Sequence, residues 1–159
     1  MVNLTELHKH FIREHLEEGD VAVDFTMGNG NDTLFLSRTV GKSGKVYAFD
    51  IQPLALESTR AHLIECGAPE NYVLICDSHH NVKKYVSEPI KAGIFNLGYL
   101  PRSGKKAITT MRATTMPAVE AALELLAPDG VLIVAIYPGH EEGALEGDML
   151  RVVLPSPPR

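Results

Sequence analysis

The stretch Val21-Ala-Val-Asp-Phe-Thr-Met-Gly-Asn-Gly-Asn-Asp-Thr33 decides the fold of this 159-residue chain. It predicts a short buried strand, a glycine turn and the start of a helix, the unit that holds a nucleotide-like cofactor in doubly wound α/β proteins. A second apolar run ends in Asp50, twenty residues after Gly30. A carboxylate at the tip of the next strand can accept hydrogen bonds from both ribose hydroxyls. Together these features predict a cofactor of nucleotide type.

The composition is that of a single globular domain, with 45% apolar and 22% charged residues. No apolar run approaches the roughly 20 residues that span a bilayer, and the first residues lack the blocks of a signal peptide. Cys66 and Cys76 form no metal-type spacing. We therefore expect a cytoplasmic protein with free thiols, no membrane partner and no metal. The net charge of −5 argues against broad, charge-driven nucleic-acid binding but leaves room for a local basic patch.

Strands and helices alternate along the chain. Apolar periodicity and turn residues predict strands at 21–25, 45–49, 72–76, 92–96 and 130–136, and helices at 3–18, 31–40, 53–66, 79–86 and about 110–126. Pro117 lies inside the last helical pattern, so the first part of that segment is expected to be a separate turn. Because the strands are apolar runs without alternation, we expect a parallel sheet covered on both faces.

The glycine turn itself narrows the choice of cofactor. It reads Gly28-x-Gly30-x-x-Thr33, with Thr where a dinucleotide fingerprint has Gly or Ala. Asp24 and Asp32 would repel a pyrophosphate, but they suit S-adenosyl-L-methionine, whose amino group and sulfonium are cationic. Asp77 follows the third strand, where it can accept from the adenine amino group. A dinucleotide remains the alternative, as do purely structural roles for the glycines in a tight turn and for the carboxylates at helix N-termini.

The fourth strand ends in a pattern that points to an amine acceptor. Phe95-Asn96-Leu97-Gly98-Tyr99-Leu100-Pro101 resembles the Asn-Pro-Pro-Tyr signature of amino-group methyltransferases. The Asn96 side-chain oxygen and the next backbone carbonyl can accept hydrogens from an amine and so aim its lone pair. Tyr99 can stack on a base presented to the pocket. The alternative is a strand-ending turn with a half-buried tyrosine.

Basic and histidine residues in the loops supply further candidates. Arg102, Lys105 and Lys106 form the densest basic cluster and could clamp phosphates, or could be a solvated loop. The segment from His8 to Arg13 makes a second, weaker basic face. His79 and His140 follow strands three and five, where a histidine could remove a proton from an ammonium group; structural or solvated roles are the alternative. No His, Cys or acidic spacing matches a zinc site.

These motifs in combination resemble the YtqB/MnmM-like rRNA methylase family over about residues 5–146. The resemblance rests on the following segments: Asp24-x-Thr26-x-Gly28-Asn29-Gly30-x-Asp32-Thr33, Ala48-Phe49-Asp50-Ile51-Gln52, Asp77-Ser78-His79, Phe95 to Pro101, Ile108-Thr109-Thr110 and Tyr137-x-Gly139-His140-x-Glu142-Gly143.

The resemblance implies a Rossmann-like class I methyltransferase fold with strand order 3-2-1-4-5. It implies methyl transfer from S-adenosyl-L-methionine to the 5-aminomethyl group of (2-thio)uridine at the wobble position of bacterial tRNA, and we expect tRNA and a second copy of the chain as candidate partners. The residues expected to bind cofactor are Asp24, Thr26, Gly28, Asn29, Gly30, Asn31, Asp32, Thr33, Asp50, Ile51, Gln52, Asp77, Ser78, His79, Asn96 and Leu97. Those expected to act on or bind the acceptor are Asn96, Tyr99, His79, His140, Arg102, Lys105 and Lys106.

Two of the departures from the family pattern bear on function. Lys105 follows Arg102-Ser-Gly104, where the family has an acidic residue, which bears on substrate positioning. Family members also continue well past the Gly143 loop, whereas residues 147–159 here are proline-rich. We therefore expect a methyltransferase domain at 1–146, an irregular tail at 147–159, an exposed edge on the fifth strand and reduced stability or activity. The alternatives are an rRNA or small-amine methyltransferase and a non-catalytic S-adenosylmethionine- or RNA-binding module.

Overall fold

Helices and strands alternate through most of the chain. The computed structural model describes residues 4–99, 115–137 and 150–155. The helices are α1 (Leu4–His15), α2 (Asn31–Val40), α3 (Pro53–Glu65) and α4 (Met116–Leu125), with a 3₁₀ segment at His79–Lys84. The strands are β1 (Val21–Asp24), β2 (Lys45–Asp50), β3 (Tyr72–Cys76), β4 (Ile90–Tyr99), β5 (Leu126–Tyr137) and β6 (Leu150–Pro155).

These elements build one six-stranded sheet in the order β3-β2-β1-β4-β5-β6. The first five strands run parallel, and the predicted order 3-2-1-4-5 is confirmed. Ala22 of β1 pairs with Val46 of β2 on one side and with Ala92 of β4 on the other. The carboxyl end of β1 therefore lies between those of β2 and β4, which is where the glycine turn begins.

Both faces of the sheet are buried, which explains the apolar runs without alternation. On one face Phe25, Phe49 and Phe95 pack under α4 and the 3₁₀ segment. Phe25 and Phe95 stack with ring centroids 4.1 Å apart. On the other face, Ile12 of α1 and Leu36 of α2 cover the alternate residues of the strands. The strands thus hold the loops at their carboxyl ends on a rigid base.

The boundaries of several elements differ from those expected. The predicted helix at 79–86 is a shorter 3₁₀ segment, and β4 and β5 are longer than predicted. Helix α4 begins at Met116 with Pro117 in its first turn, where a missing N–H costs no helical hydrogen bond. The separate turn expected at the start of this segment falls on residues 110–114, which lie outside the described part.

The expectation of an irregular tail with no further strand is wrong for residues 150–155. Strand β6 pairs antiparallel with β5, with Ile133 opposite Val153 and Val131 opposite Pro155. The prolines misled the prediction because Pro155 is the last residue of an edge strand, where a missing N–H is tolerated. Apolar and β-branched residues before it favour pairing. The edge of β5 that was expected to be exposed is thus covered by β6.

Candidate active site

The carboxyl ends of β1 to β4 surround a cavity of ≈ 390 Å³, which we call the glycine-loop cavity. Predicted residues that line it are Thr26, Asp50, Ile51, Asp77, Ser78, His79 and Asn96. Phe25, His80 and Thr115 line it as well and were not predicted. Four loops that are distant in sequence therefore meet at one site because their strands are neighbours in the sheet.

Asp50 joins the glycine turn to the start of α3. Its two carboxylate oxygens accept hydrogen bonds from the backbone N–H of Gly28 at 3.1 Å and of Gln52 at 3.0 Å. The alternative role of Asp50 as a cap on α3 is not observed, because Gln52 is the N-cap of that helix and no side chain caps it. A carboxylate has about four acceptor positions, so two of them remain available to a ligand in the cavity.

The turn requires glycine at residue 30. Gly30 has φ +89°, and a β-carbon there would lie 2.9 Å from Thr59 Cγ2 and 3.0 Å from Thr59 Cα. The Thr59 hydroxyl also donates to the Gly28 carbonyl at 3.1 Å. Thr59 is therefore the residue that shapes the turn from α3. Sequence reasoning missed it, because a single Thr in the middle of a helix carries no motif.

Asp24 lies behind the turn and is fully buried. Its carboxylate accepts from the Thr33 hydroxyl at 2.7 Å and from the Thr26 N–H at 3.1 Å. Burial, followed by the nearby Asp32 charge, raises the pKa of Asp24 to about 7. The described contacts of Asp24 hold the two ends of the turn together, so its role there is positioning.

Asp77 is an ionised acceptor at the end of β3. Its carboxylate accepts from Tyr85 Oη at 2.7 Å, Asn81 Nδ2 at 2.9 Å and the Ser78 N–H at 2.7 Å. These donors, Tyr85 first, lower the pKa of Asp77 below its ordinary value. With three of about four acceptor positions used, one position remains for a donor in the cavity.

His79 presents a neutral ring nitrogen to the same cavity. Its Nδ1 lies 3.2 Å from the Phe25 carbonyl oxygen, and because a carbonyl only accepts, Nδ1 carries the proton. In the neutral ring Nε2 is then the acceptor. Burial lowers the pKa of His79, which keeps the ring neutral at physiological pH. The ring also packs edge-to-face on Phe95 at 5.3 Å, which fixes its plane.

Asn96 lies where two cavities meet. Its backbone N–H donates to the Thr26 hydroxyl at 2.8 Å, which ties the end of β4 to the glycine turn. Besides the glycine-loop cavity, Asn96 lines a larger one of ≈ 780 Å³ between α1 and α2, which we call the α1–α2 groove. Asn31 and Asp32 line that groove too. Asn96 is therefore accessible from both sides.

The remaining predicted residues fall into three groups. Gly28, Asn29 and Gln52 line a third, smaller cavity of ≈ 230 Å³ beside Asp50. Leu97 and Tyr99 continue the backbone of β4. The other predicted acceptor-side residues, namely Arg102, Lys105, Lys106 and His140, lie outside the described residues.

Within residues 4–99, 115–137 and 150–155, no three His, Cys, Asp or Glu side chains are placed to hold a metal ion. Among the helices in those ranges, none has the length and apolar character needed to cross a membrane.

Comparison with known proteins identifies the family. The sequence model of the family described as "Putative rRNA methylase" matches residues 46–156. The chain belongs to this family. One curated relative of this rRNA methylase family member is a chloroplastic protein of Arabidopsis thaliana, the tRNA (mnm(5)s(2)U34)-methyltransferase. The two sequences are 38% identical over 143 residues. That match covers 82% of this chain and 51% of the relative, so the chain spans about half the length of that protein.

Solved structures agree with this membership and with the fold. An rRNA methylase from Streptococcus thermophilus is 43% identical, with a TM-score of 0.75 over 88% of this chain and 73% of that chain. A "putative methyltransferase" from Streptococcus mutans, solved in complex with SAH, is 43% identical, with a TM-score of 0.73 over 86% of this chain and 74% of the other. The Rossmann-like fold predicted from the sequence is therefore confirmed.

Proposed function

We propose that this chain is an S-adenosyl-L-methionine-dependent methyltransferase that acts on the 5-aminomethyl group of a (2-thio)uridine at the tRNA wobble position. The observation that carries the proposal is the position of Asn96 between the glycine-loop cavity and the α1–α2 groove. The name of the Arabidopsis relative and the SAH in the Streptococcus mutans structure support it.

The residues of the glycine-loop cavity suit the cofactor. The two remaining acceptor positions of Asp50 match the two ribose hydroxyls, and the one remaining position of Asp77 matches the adenine amino group. Ile51 is 68% exposed beside them and offers an apolar surface to the purine face. When bound, S-adenosyl-L-methionine supplies an electrophilic methyl group on a sulfonium, which leaves SAH after transfer.

The chain itself supplies orientation and a proton acceptor. The Asn96 amide oxygen and the Leu97 carbonyl accept hydrogen bonds from the acceptor amine, which directs its lone pair toward the methyl carbon. As the N–C bond forms, the S–C bond breaks and its electron pair stays on sulfur. The amine must first lose its ammonium proton, and the neutral Nε2 of His79 can accept it. No other covalent step is needed.

The test is nucleoside mass spectrometry of tRNA incubated with the protein and S-adenosyl-L-methionine. tRNA that carries 5-aminomethyl-2-thiouridine should gain one methyl group at that nucleoside, and tRNA without the aminomethyl group should not. Asn96→Ala should lower the transfer rate by about 100-fold, the cost of misplacing reacting groups. Because Asn96 directs the amine, cofactor affinity by calorimetry should change little. Unaltered transfer by Asn96→Ala would show that the acceptor assignment is wrong.

The family description favours one second candidate, methyl transfer to ribosomal RNA. Labelled methyl groups that appear in rRNA, but not in aminomethyl-bearing tRNA, would support that candidate over the tRNA reaction.

A further inference from the structure

The α1–α2 groove is a cationic surface on an acidic protein. The whole chain has 20 acidic against 15 basic residues. The groove reverses that balance: among the described residues, Lys9, Arg13 and Arg38 line it against one carboxylate, Asp32. Arg38 was not singled out by the sequence, since it lies in a helix without a basic run. A local excess of positive charge calls for an anionic occupant.

Contacts within the groove hold these cations in place. The Arg13 guanidinium carbon lies 5.2 Å from the centre of the Phe35 ring, and Lys9 Nζ lies 5.7 Å from it. Arg38 Nη2 donates to the Cys66 carbonyl at 2.9 Å, which anchors one edge of its guanidinium on the end of α3. A guanidinium has five N–H donors, so the others can serve a ligand. Anchored side chains lose little conformational entropy on binding.

The groove leads to the reacting residue. Asn96 lines both the groove and the glycine-loop cavity, so a chain that lies along the groove can present one group to Asn96. We propose that the groove binds the phosphates that flank the acceptor nucleotide and so sets that nucleotide on Asn96. This inference rests on the proposed function, because it takes RNA to be the substrate.

Charge complementarity favours an RNA over a free amine in this groove. A small alkyl amine is a cation at neutral pH and would meet three positive side chains, whereas each RNA phosphate is an anion. Contacts to phosphates position a nucleic acid without reading its sequence. The groove therefore orients the substrate, and recognition of the modified base is left to the residues around Asn96.

The test compares two double variants with the same change in charge. Arg13→Gln/Arg38→Gln removes two groove cations, and the control Lys42→Gln/Arg60→Gln removes two cations that are exposed elsewhere. Binding of a tRNA anticodon stem-loop is measured by fluorescence anisotropy across salt concentrations. We expect the groove variant to bind at least tenfold more weakly. Its log–log salt dependence should be shallower by about 1.4 to 1.8, since each phosphate contact contributes about 0.7 to 0.9.

Two further measurements keep the result interpretable. Arg13→Lys/Arg38→Lys keeps the charge and should retain most of the affinity and the salt slope. In the unaltered protein, bound stem-loop should protect Lys9 from acetylation and leave Lys42 reactive, a result that does not depend on the folding of a variant. Groove and control variants with equal affinity and slope would overturn the proposal, as would equal acetylation of Lys9 with and without RNA.

The outcomes also separate this proposal from the proposed function. If the protein methylates tRNA and the Arg13→Gln/Arg38→Gln variant has the same KM for tRNA as the unaltered protein, the proposed RNA-binding role of the groove is wrong and the proposed function stands. A protein that binds the stem-loop through the groove but methylates no tRNA would refute the function alone.

Discussion

Gly30 illustrates how one residue sets the shape of the site. Its φ of +89° costs an L-residue about 1 to 2 kcal/mol, and Thr59 would crowd any β-carbon there. Gly67 shares the left-handed conformation, with φ +66°, but a β-carbon there would meet nothing within 4 Å. A substitution at Gly67 therefore meets only the cost of the left-handed backbone, whereas a substitution at Gly30 meets that cost and a steric clash with Thr59.

We expect Gly30→Ala to be more damaging than Gly67→Ala. Gly67→Ala should lower the free energy of unfolding by about 1 kcal/mol and leave cofactor affinity unchanged. Gly30→Ala must also displace Thr59 or the turn, so it should be less stable still and should bind S-adenosyl-L-methionine at least tenfold more weakly. Urea denaturation and calorimetry check both. Equal effects of the two substitutions would show that the Thr59 contact is unimportant.

Residues of the site were predictable where a motif marks them. The glycines and Asp50 have a recognised spacing, and Asp77 and Asn96 each close an apolar run, so the fold class was enough to bring them together. Thr59 and Arg38 were not predictable in this way. Each lies within a helix, and its contact with the site arises from how α3 and α2 pack, which no local pattern records.

At the scale of elements, the Thr26 side chain continues the row of hydrogen bonds between β1 and β4 beyond the last paired residues. Residue pairing between the two strands ends with Asp24 opposite Ile94, and the Phe25 N–H still donates to the Ile94 carbonyl at 2.8 Å. The next donor, the Asn96 N–H, is accepted by the Thr26 hydroxyl and not by backbone. The position of Asn96 therefore depends on that hydroxyl.

Thr26→Val should loosen Asn96 while Thr26→Ser should not. Valine has the shape of threonine but cannot accept the hydrogen bond, and an unsatisfied N–H costs about 1 to 3 kcal/mol when it is buried. We expect Thr26→Val to lower kcat for methyl transfer about tenfold, with KM for tRNA changed much less, and Thr26→Ser to keep both. Steady-state kinetics distinguish the two. Full activity of Thr26→Val would show that the Thr26 hydroxyl is not needed to position Asn96 for methyl transfer.

The elements themselves were predicted best where local and tertiary signals agree. β3 and α2 have the predicted bounds, since β-branched residues and the glycine turn mark them locally. β6 was missed because the prolines at its end and just after it argue against a strand, whereas the unpaired edge of β5 favours one. Pairing with the edge of β5 outweighed the local effect of the prolines, as strand formation in general depends more on neighbouring strands than on local sequence preference.

At the scale of the whole molecule, Asp24 links stability to pH. Its pKa is about 7 in the folded protein, against an ordinary value of 3.8 that applies to the unfolded chain. Between pH 3.8 and pH 7 the folded state therefore binds more protons than the unfolded state. Its contribution to the free energy of unfolding therefore falls as pH rises from about 4 through 7. Asp129 is shifted the opposite way, because Lys91 lowers its pKa, and it is ionised in both states above pH 5.

We expect the free energy of unfolding of Asp24→Asn to rise relative to that of the unaltered protein as pH rises from 5 to 8.5. The difference in unfolding free energy should shift by a few kcal/mol, at about 1.4 kcal/mol per pKa unit, and any loss from the altered hydrogen bonds is a constant offset. Asp129→Asn should show no such trend. Urea denaturation at several pH values measures both. A difference between Asp24→Asn and the unaltered protein that stays constant with pH would contradict the raised pKa.

The central position of β1 also sets the order in which the site is assembled during synthesis. Asp50 ends β2 and Asp77 directly follows β3. β2 pairs with β1 and β3 pairs with β2, each from a short length of chain. Asn96 joins Thr26 across 70 residues, and contacts of long sequence separation form slowly because their loop entropy must be overcome first. A nascent chain therefore completes the cofactor half of the site before it has the acceptor half.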